Sequence, residues 1–554
     1  MILTTLLILC QIIVFLGYSY MIYELLLGIK INSIELRVLL GMGSLGMLSQ
    51  LICLSVPITW PVQLSVVICG LLPWLNKKFR SDTQEQAKRI YFQQPLIHLV
   101  FISLFTLTIV LAAGPIIRDD TESYHLQSIK WMHEYGTVSG LANLHSRYGF
   151  NSIWLSLISL VTPESSLNFY TCCNAILSLV VCSSLTHLYK DKKEKGSISL
   201  AEHTGLITLA LLILIWYYWR GNAQSTNYDY YFLSFCLIVS VQFKEKLIKP
   251  NQLLYIFLIA PPLLFCIRPI YAPMMSLSLF SLYKLYRLKQ KRVIVKAGLL
   301  YVLFTAIFLW RNVRLSGYVL FPSTLIDIAE VKWKMPKEYA AIQWEYINNY
   351  AWDRSLNIVE AGWKWLNELF FYDSILFLLG FASIVFLYLK KKDKSVNTIV
   401  SITLLLMITT WISISPEPRF IAGIFMAAIF LAASNIAPII SASPLTKPVM
   451  IIAIGSTLIL FPWYLVIQKM TKEGNAYINV LQPAKIPAPK LQKISSDDFN
   501  ANIPDKIPPN WNKRCYLTPL PCVYDSVPGV RLIGNTIKDG FYVEYVAPRK
   551  ISEN

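Results

Sequence analysis

Two adjacent aspartates, Asp119 and Asp120, come one residue after an apolar run that is long enough to cross a bilayer (96–117). Glu122 and His125 follow within a few residues. A carboxylate at the centre of a bilayer costs roughly 2.5–3.5 kcal/mol, so these acids are expected at the membrane edge or in a wet cavity. There a carboxylate can accept a proton from a hydroxyl group as a general base. Asp119 and Asp120 are therefore the candidate catalytic residues, and either one could be the base.

Helix capping is the alternative explanation for this acidic run. Residues 119–122, DDTE, resemble a capping box, and acids are favourable at a helix N-terminus. A helix that begins here places Asp120, Tyr124, Gln127 and Trp131 on one face. Because capping needs only one acid, a catalytic or metal-binding role stays open for the other.

Polar and aromatic residues continue through the rest of this loop. Each one alone could be satisfied by a local hydrogen bond, but their density favours a surface that contacts a sugar or an acceptor. The residues expected to shape such a site are Glu122, Tyr124, His125, Asn143, His145, Arg147 and Asn151. A metal site built from Asp119, Asp120 and His125 follows no spacing rule, so the metal is unknown and a divalent cation stays open as a cofactor.

Five arginines lie near the outer ends of predicted helices, against the tendency of basic residues to face the cytoplasm. They are Arg220, Arg268, Arg311, Arg314 and Arg419. The rigid guanidinium fork suits phosphate and diphosphate groups. A single arginine could instead reach towards lipid headgroups. Together they predict an anionic ligand on the outer side, with Arg220 the weakest candidate.

Composition identifies the fold class. Of the 554 residues, 55% are hydrophobic and 15% are charged, and the mean hydropathy is +0.50. Soluble proteins have about 45–50% apolar and about 25% charged residues. The sequence therefore predicts an all-α polytopic integral membrane protein with about 12–14 transmembrane helices. The net charge of +18 is concentrated in short loops, which indicates membrane topology and argues against nucleic acid as a partner.

The chain divides into alternating membrane and polar regions. The aromatic-rich second loop is typical of amphipathic helices on the outer face. The proline-rich tail is typical of a small extramembrane cap. The predicted regions are the N-terminal transmembrane helices (1–117), the first outer loop with the acidic motif (118–167), the central transmembrane helices (168–310), the second outer loop (311–372), the C-terminal transmembrane helices (373–469) and the periplasmic tail (470–554).

Acids and phosphate-binding arginines on one face define a reaction. A sugar carried on a lipid phosphate has an anionic leaving group, which arginines can stabilise. An aspartate can take the proton of the incoming hydroxyl group. Nucleotide sugars are scarce outside the membrane, so the expected donor is linked to a polyprenyl phosphate.

The pattern resembles the GT-C superfamily of polytopic membrane glycosyltransferases, which keep an acidic motif in the first long outer loop. The resemblance implies that Asp119 or Asp120 is the base. A closer resemblance is to an uncharacterised group of bacterial inner-membrane proteins in that superfamily. It rests on DDTESYHLQSIKW, GLANLHSRYGFNS, WRNVRLSGYVLFPS, SPEPRF and CYLTPLPC, which span residues 119–522 in order. The chain departs from most GT-C enzymes by three extra predicted helices before the acidic loop.

Cys515 and Cys522 are the two cysteines of the polar tail. They are expected to form a disulfide if the tail lies in an oxidising compartment, with two reduced thiols as the alternative. The predicted location is the bacterial inner membrane, with multiple spans and with the large loops and the tail in the periplasm.

The sequence thus predicts an inverting membrane glycosyltransferase that acts on a glycan, lipid or protein acceptor. Membrane lipids are its other expected partners. A surface-polysaccharide polymerase or O-antigen ligase would use the same ligands but rely on arginine and histidine. A lipid-linked glycan flippase would need no base. A non-catalytic assembly scaffold is a further hypothesis, and the tail is the only feature that supports it specifically.

Overall fold

The computed structural model of the chain is mostly helical. Within its described residues, strands occur only between 491 and 543. The structure describes residues 1–91, 95–115, 119–194, 222–244, 248–369, 371–389, 394–436, 482–496, 498–507 and 512–546.

The helices follow one another with short connections in most of the chain, and α1 continues into a π-helical turn over Tyr20–Leu26. In chain order they are α1 (Ile2–Ser19), α2 (Ile34–Ser55), α3 (Trp60–Leu71), α4 (Lys77–Tyr91), α5 (Pro95–Ala112), α6 (Leu126–Glu134), α7 (Ile153–Val161), α8 (Cys172–Glu194), α9 (Asp229–Lys244), α10 (Pro250–Ile267), α11 (Met275–Arg287), α12 (Lys291–Ser316), α13 (Lys337–Tyr350), α14 (Ile358–Glu368), α15 (Phe371–Leu389), α16 (Lys394–Ile414) and α17 (Pro418–Ile436).

Several helices have the length and apolar composition of membrane spans. In the described part of the chain, four are long and apolar enough to cross a membrane: Ile2–Leu26, Ile34–Ser55, Pro250–Ile267 and Lys291–Ser316. Shorter apolar helices include α15, α16 and α17. The apolar side chains of α12 that face outward are suited to lipid surroundings. The chain therefore has the helices of a membrane protein.

Close packing between the helices depends on small residues. A Cβ atom at Gly41 on α2 would clash with the backbone oxygen of Phe15 on α1. A Cβ atom at Gly423 on α17 would lie 2.9 Å from the Cα atom of Leu233 on α9. Small residues at such contacts let helix backbones approach closely in membrane proteins. The contact between α9 and α17 brings together Asp229 and Arg419, which lie at the starts of these two helices.

The acidic residues lie at a π-helical turn (Thr121–His125) that leads directly into α6. Asp120 occupies the N-cap position of this turn, yet its side chain makes no capping hydrogen bond. Capping therefore does not explain Asp120.

The C-terminal segment, defined here as residues 482–546, contains the strands. They form three antiparallel pairs, each of two strands: β1 (Leu491–Ser495) with β2 (Asn500–Pro504), β3 (Lys506–Ile507) with β4 (Asn512–Lys513), and β5 (Val530–Leu532) with β6 (Phe541–Val543). Leu491 is opposite Pro504 in the first pair, and Val530 is opposite Val543 in the third. Cys515 and Cys522 form a disulfide.

The two largest hydrophobic cores of the described residues join the main parts of the fold. The larger one lies among the apolar helices. The second joins the C-terminal segment to the first polar loop, where Trp131, Leu141 and Tyr148 pack with Phe499 and Phe541. This second core fixes the C-terminal segment against the loop that carries the acidic residues.

The end of α12 differs from the sequence-based expectation. The hydropathy pattern predicts a membrane helix over 295–310, but the helix continues through Arg311 and Arg314 to Ser316. Gly317, with a φ of +83°, then ends it in the left-handed conformation that glycine adopts without strain. Two other predicted membrane helices, 204–219 and 447–467, lie outside the described residues.

Candidate functional site

Asp120 lies between two arginines that come from distant parts of the chain. Its Oδ2 atom accepts a hydrogen bond from Arg419 Nη1 at 3.0 Å. Its Oδ1 atom is 3.9 Å from Arg147 Nη1. The acidic segment is thus joined to the start of α17 and to the later part of its own loop.

A second carboxylate continues this arrangement. Asp229 Oδ2 is 3.5 Å from Arg419 Nε, and Arg268 Nη1 donates to both carboxylate oxygens of Asp229 at 2.7 and 2.9 Å. The Tyr271 hydroxyl donates to Asp229 Oδ1 at 3.1 Å. The result is an alternating series of charges, called the charge cluster below, made of Arg147, Asp120, Arg419, Asp229 and Arg268.

The ends of three helices position the cluster. Asp229 is the first residue of α9, where an acid is favourable at the helix N-terminus, and Arg268 follows the last residue of α10. Arg419 follows Pro418, and proline is favourable at the first position of a helix such as α17. The indole N–H group of Trp411 donates to the Glu417 backbone oxygen at 2.8 Å, which fixes the chain before Arg419.

Four of the five side chains of the charge cluster are partly exposed. The exposed fractions of the side chains are 27% for Asp120, 26% for Arg419, 23% for Arg268 and 12% for Arg147. Asp229 is only 2% exposed. Asp229 therefore orients Arg268 and Arg419 from the buried side of the cluster. The other four side chains are exposed enough to contact a ligand.

Asp120 is ionised near neutral pH. Burial alone would raise its pKa, but the guanidinium groups of Arg419 and Arg147 outweigh burial and hold the pKa of this carboxyl well below its ordinary value. The charged form can accept a hydrogen bond from a hydroxyl group.

Asp119 and Glu122 interact with an arginine from the C-terminal segment. Arg514 Nη2 is 3.4 Å from Asp119 Oδ1, and Arg514 Nε is 3.8 Å from Glu122 Oε2. Tyr516 N also donates to the Glu122 backbone oxygen at 2.9 Å. Burial, together with the charge of Asp119, raises the pKa of Glu122 to about 7. The side chain of Asp119 is 66% exposed, so of the two aspartates Asp120 is the one held in a built site.

His125 lies beside the charge cluster and is almost fully buried. Its Nδ1 atom shares a 2.7 Å hydrogen bond with Thr226 Oγ1, and its Nε2 atom has no hydrogen-bond partner among the described residues. Burial lowers the pKa of His125 to about 4, so the ring is neutral near pH 7. A neutral ring with one bonded nitrogen can offer the other nitrogen to a ligand.

Aromatic rings surround Arg147. Its Nη2 atom donates to the Tyr346 hydroxyl at 3.0 Å, and its guanidinium carbon is 5.7 Å from the centre of the Tyr124 ring. His145 accepts a hydrogen bond at Nδ1 from Arg147 N at 3.2 Å and packs against Tyr524. Arg147 therefore reaches Asp120 through an aromatic surface, which is the type of surface that sugars contact.

Other candidate residues lie apart from the charge cluster. Arg311 bonds Thr137 and Asn151, and Arg314 Nε donates to Ser139 Oγ at 2.9 Å. The structure therefore does not bring Arg311, Arg314 or Asn151 into contact with Asp120.

Asn143 and Arg220 are the two remaining candidates. The side-chain amide of Asn143 donates to the backbone oxygens of Trp333 and Phe541 at 3.0 and 3.2 Å. It joins three segments of the chain to one another. Arg220 lies outside the described residues.

Metal-ligating residues are not clustered in the part of the chain that the structure describes. There, no group of three or more His, Cys, Asp and Glu side chains is arranged to hold a metal ion. Asp119 and Asp120 have different arginine partners, and His125 is bound to Thr226. These three residues do not form a ligand set.

Comparison with known proteins gives one match. Residues 1–426 match the model of a family described as a domain of unknown function, DUF8201. The chain belongs to this family. The DUF8201 match includes all five residues of the charge cluster but ends before Arg514 and the C-terminal segment. No curated protein and no solved structure matches the chain.

Two contributors to the candidate site are absent from the sequence-based candidates. Asp229 stands at a helix start, where an acid has an ordinary capping explanation, so nothing in the sequence singles it out. Arg514 lies in the tail, next to Cys515, and the expected disulfide was the one signal that this part of the tail has a fixed structure.

Proposed function

We propose that the chain is an integral-membrane glycosyltransferase of the GT-C type. It spans the bacterial inner membrane with about 12–14 helices. It moves a sugar from a polyprenyl-phosphate-linked donor to a glycan, lipid or protein acceptor on the outer face. The loops, the charge cluster and the C-terminal segment lie on the periplasmic side.

The observation that carries this proposal is the position of Asp120. An ionised and partly exposed carboxylate lies within 3.0 Å of one guanidinium group and 3.9 Å of another. The carboxylate can serve the acceptor hydroxyl, and the arginines can bind the phosphate of the donor.

The reaction follows from these roles. The acceptor hydroxyl donates a hydrogen bond to Asp120, and its oxygen forms a bond to the anomeric carbon of the sugar. The bond from that carbon to the phosphate oxygen breaks, and its electron pair leaves with the phosphate. Asp120 receives the hydroxyl proton. Direct displacement from the face opposite the phosphate inverts the anomeric centre.

Through the charge cluster, binding of the donor also changes the basicity of Asp120. In the free protein, Arg419 and Arg147 keep the pKa of Asp120 low, which makes it a weak base. A bound phosphate neutralises part of the guanidinium charge and thereby raises the pKa of Asp120. The carboxylate becomes a better base only when the donor is in place.

The test is a comparison of Asp120→Asn with Asp119→Asn, both at normal membrane levels, with the surface glycan as the product measured in cells. Removal of a general base lowers the rate by about 100-fold or more, so Asp120→Asn is expected to abolish the glycan. Asp119→Asn is the matched control and is expected to keep it, because Asp119 is the more exposed carboxylate.

Normal glycan in Asp120→Asn and in the double variant would overturn the proposed base. Loss of the glycan in Arg147→Gln and Arg268→Gln, with Asp120→Asn still active, would instead indicate the ligase or polymerase mechanism. A glycan precursor that accumulates on the inner leaflet in the Asp120→Asn strain would indicate a flippase.

A further inference from the structure

Arg311 is a buried cation that no carboxylate of the described residues neutralises. Its residue is 5% exposed, its Nε atom donates to Thr137 Oγ1 at 3.2 Å, and its Nη1 atom donates to Asn151 Oδ1. That amide oxygen also accepts a hydrogen bond from Gln50 Nε2 at 2.7 Å. Within the described ranges, Arg311 forms no ion pair. A buried charge is costly unless an opposite charge compensates it. The described contacts of Arg311 therefore lack an anion.

A small cavity lies beside Arg311, between α6, α12 and the loop after α6. Its lining includes Arg311, Ser128, Trp131 and Tyr148, and no acidic side chain lines it among the described residues. Ser128 Oγ and Trp131 Nε1 are buried there without a hydrogen-bond partner in the described part of the chain. The indole N–H and the guanidinium can only donate hydrogen bonds, and the serine hydroxyl can donate one.

The size of the cavity limits the ligand. It has room for about one water-sized group. A phosphate group with its four oxygens is too large for this space. Water would satisfy the hydrogen-bond donors but would leave the positive charge of Arg311 uncompensated.

We propose that this cavity binds one small monovalent anion with the size and charge of chloride. The anion accepts hydrogen bonds from Trp131 and Ser128 and neutralises Arg311. It thereby joins α6 to α12. This inference does not depend on the proposed function, because none of these three residues contacts Asp120.

The experiment uses the full chain purified in detergent. The melting temperature, Tm, is measured while chloride replaces gluconate at constant sodium and constant ionic strength. Gluconate is too large for the cavity. A ligand that binds only the folded state stabilises it with rising concentration, so Tm is expected to rise with chloride. Bromide is expected to act like chloride.

Three variants locate the effect. Arg311→Gln keeps an amide donor for Asn151 but removes the charge, so Tm is expected to lose its chloride dependence. Trp131→Phe removes one donor to the anion, so the chloride midpoint is expected to rise about tenfold. Arg314→Gln is the matched control, because Arg314 lies one turn further along α12, does not line the cavity and is expected to keep the full response.

Equal Tm values in chloride and gluconate for the wild-type chain would overturn the proposal. A full chloride response in Arg311→Gln would also overturn it. If Arg311→Gln does not fold, binding of radiolabelled chloride to the wild-type chain decides the question. Saturable binding that bromide displaces and Trp131→Phe weakens supports the site, and absence of such binding means that the cavity holds water only.

Discussion

Two groups of arginines near the first polar loop differ in what surrounds their charge. Arg147, Arg268 and Arg419 each face a carboxylate, whereas Arg311 and Arg314 bond to neutral oxygens in the described part of the chain. All but Arg147 look alike in the sequence, because they lie at the ends of apolar helices. The difference teaches that the partner of an arginine, more than its place on a helix, decides which ligand it can take. A paired arginine near a partly exposed carboxylate suits an anionic substrate, and the buried Arg311 is the arginine for which a separate anion is proposed.

The largest expected effect on stability comes from breaking a pair in the charge cluster. Arg268→Met leaves Asp229, a buried carboxylate, without its closest cation, and such a loss costs about 3–5 kcal/mol in the free energy of unfolding. The control is Arg314→Met, which removes an arginine bonded to neutral oxygens and is expected to cost about 1 kcal/mol. Denaturant titrations in detergent measure both.

A second substitution at Asp229 tests whether the buried carboxylate causes this loss. In the background of Arg268→Met, Asp229→Asn removes the buried charge that has lost its closest cation and is expected to recover part of the stability. Equal losses for Arg268→Met and Arg314→Met would contradict the distinction between the two groups.

Loss of the disulfide is expected to have an effect of intermediate size on stability. The disulfide lies beside Arg514, which is another arginine that faces a carboxylate, that of Asp119. Cys515 and Cys522 close a loop with a sequence separation of 7, and loops of this size gain about 2 kcal/mol from a disulfide. Replacing both cysteines by serine is expected to lower Tm. A reductant is expected to lower the Tm of the wild-type chain in the same way and to leave the double variant unchanged. An unchanged wild-type Tm after complete reduction, checked by thiol labelling, would show that the second hydrophobic core alone holds this segment.

The contribution to the free energy of unfolding that is smallest at neutral pH is expected from Glu122. The pKa of Glu122 is raised to about 7 in the folded chain from its ordinary 4.5. A raised pKa means that folding favours the neutral acid. The resulting stability is fully present below about pH 4.5 and is lost as the pH rises through about 7. Glu122→Gln keeps the neutral form at every pH, so its Tm relative to the wild type is expected to increase between pH 5 and pH 8. Parallel pH profiles of the two chains would exclude Glu122 as the titrating group.

Part of this arrangement could be read from the sequence. Apolar runs of sufficient length predicted a mostly helical chain, and an acid pair at the end of such a run drew attention to Asp119 and Asp120 without separating them. The end of α12 also had a signal, because Gly317 is a typical helix terminator. The hydropathy pattern fails there because a charged residue at a helix end lowers the hydropathy without ending the helix.

The partners of Asp120 and Asp229 could not be read from the sequence. Asp120 and Arg419 are 299 residues apart, and their contact depends on how the acidic turn before α6 meets the start of α17. Local patterns carry no information about such distances. Arg311 and Arg419 therefore looked equivalent, although only one of them meets a carboxylate in the described residues.

The contacts of the C-terminal segment have a consequence for the order of synthesis. Gln127 donates hydrogen bonds to backbone oxygens of Tyr516 and Thr518, which are 389 and 391 residues later in the chain. The loop that carries Asp120 leaves the ribosome well before Tyr516 and Thr518, so it cannot make these bonds until the chain up to Thr518 has been made. The enzyme proposed here would thus remain without its finished site while those intervening residues are synthesised.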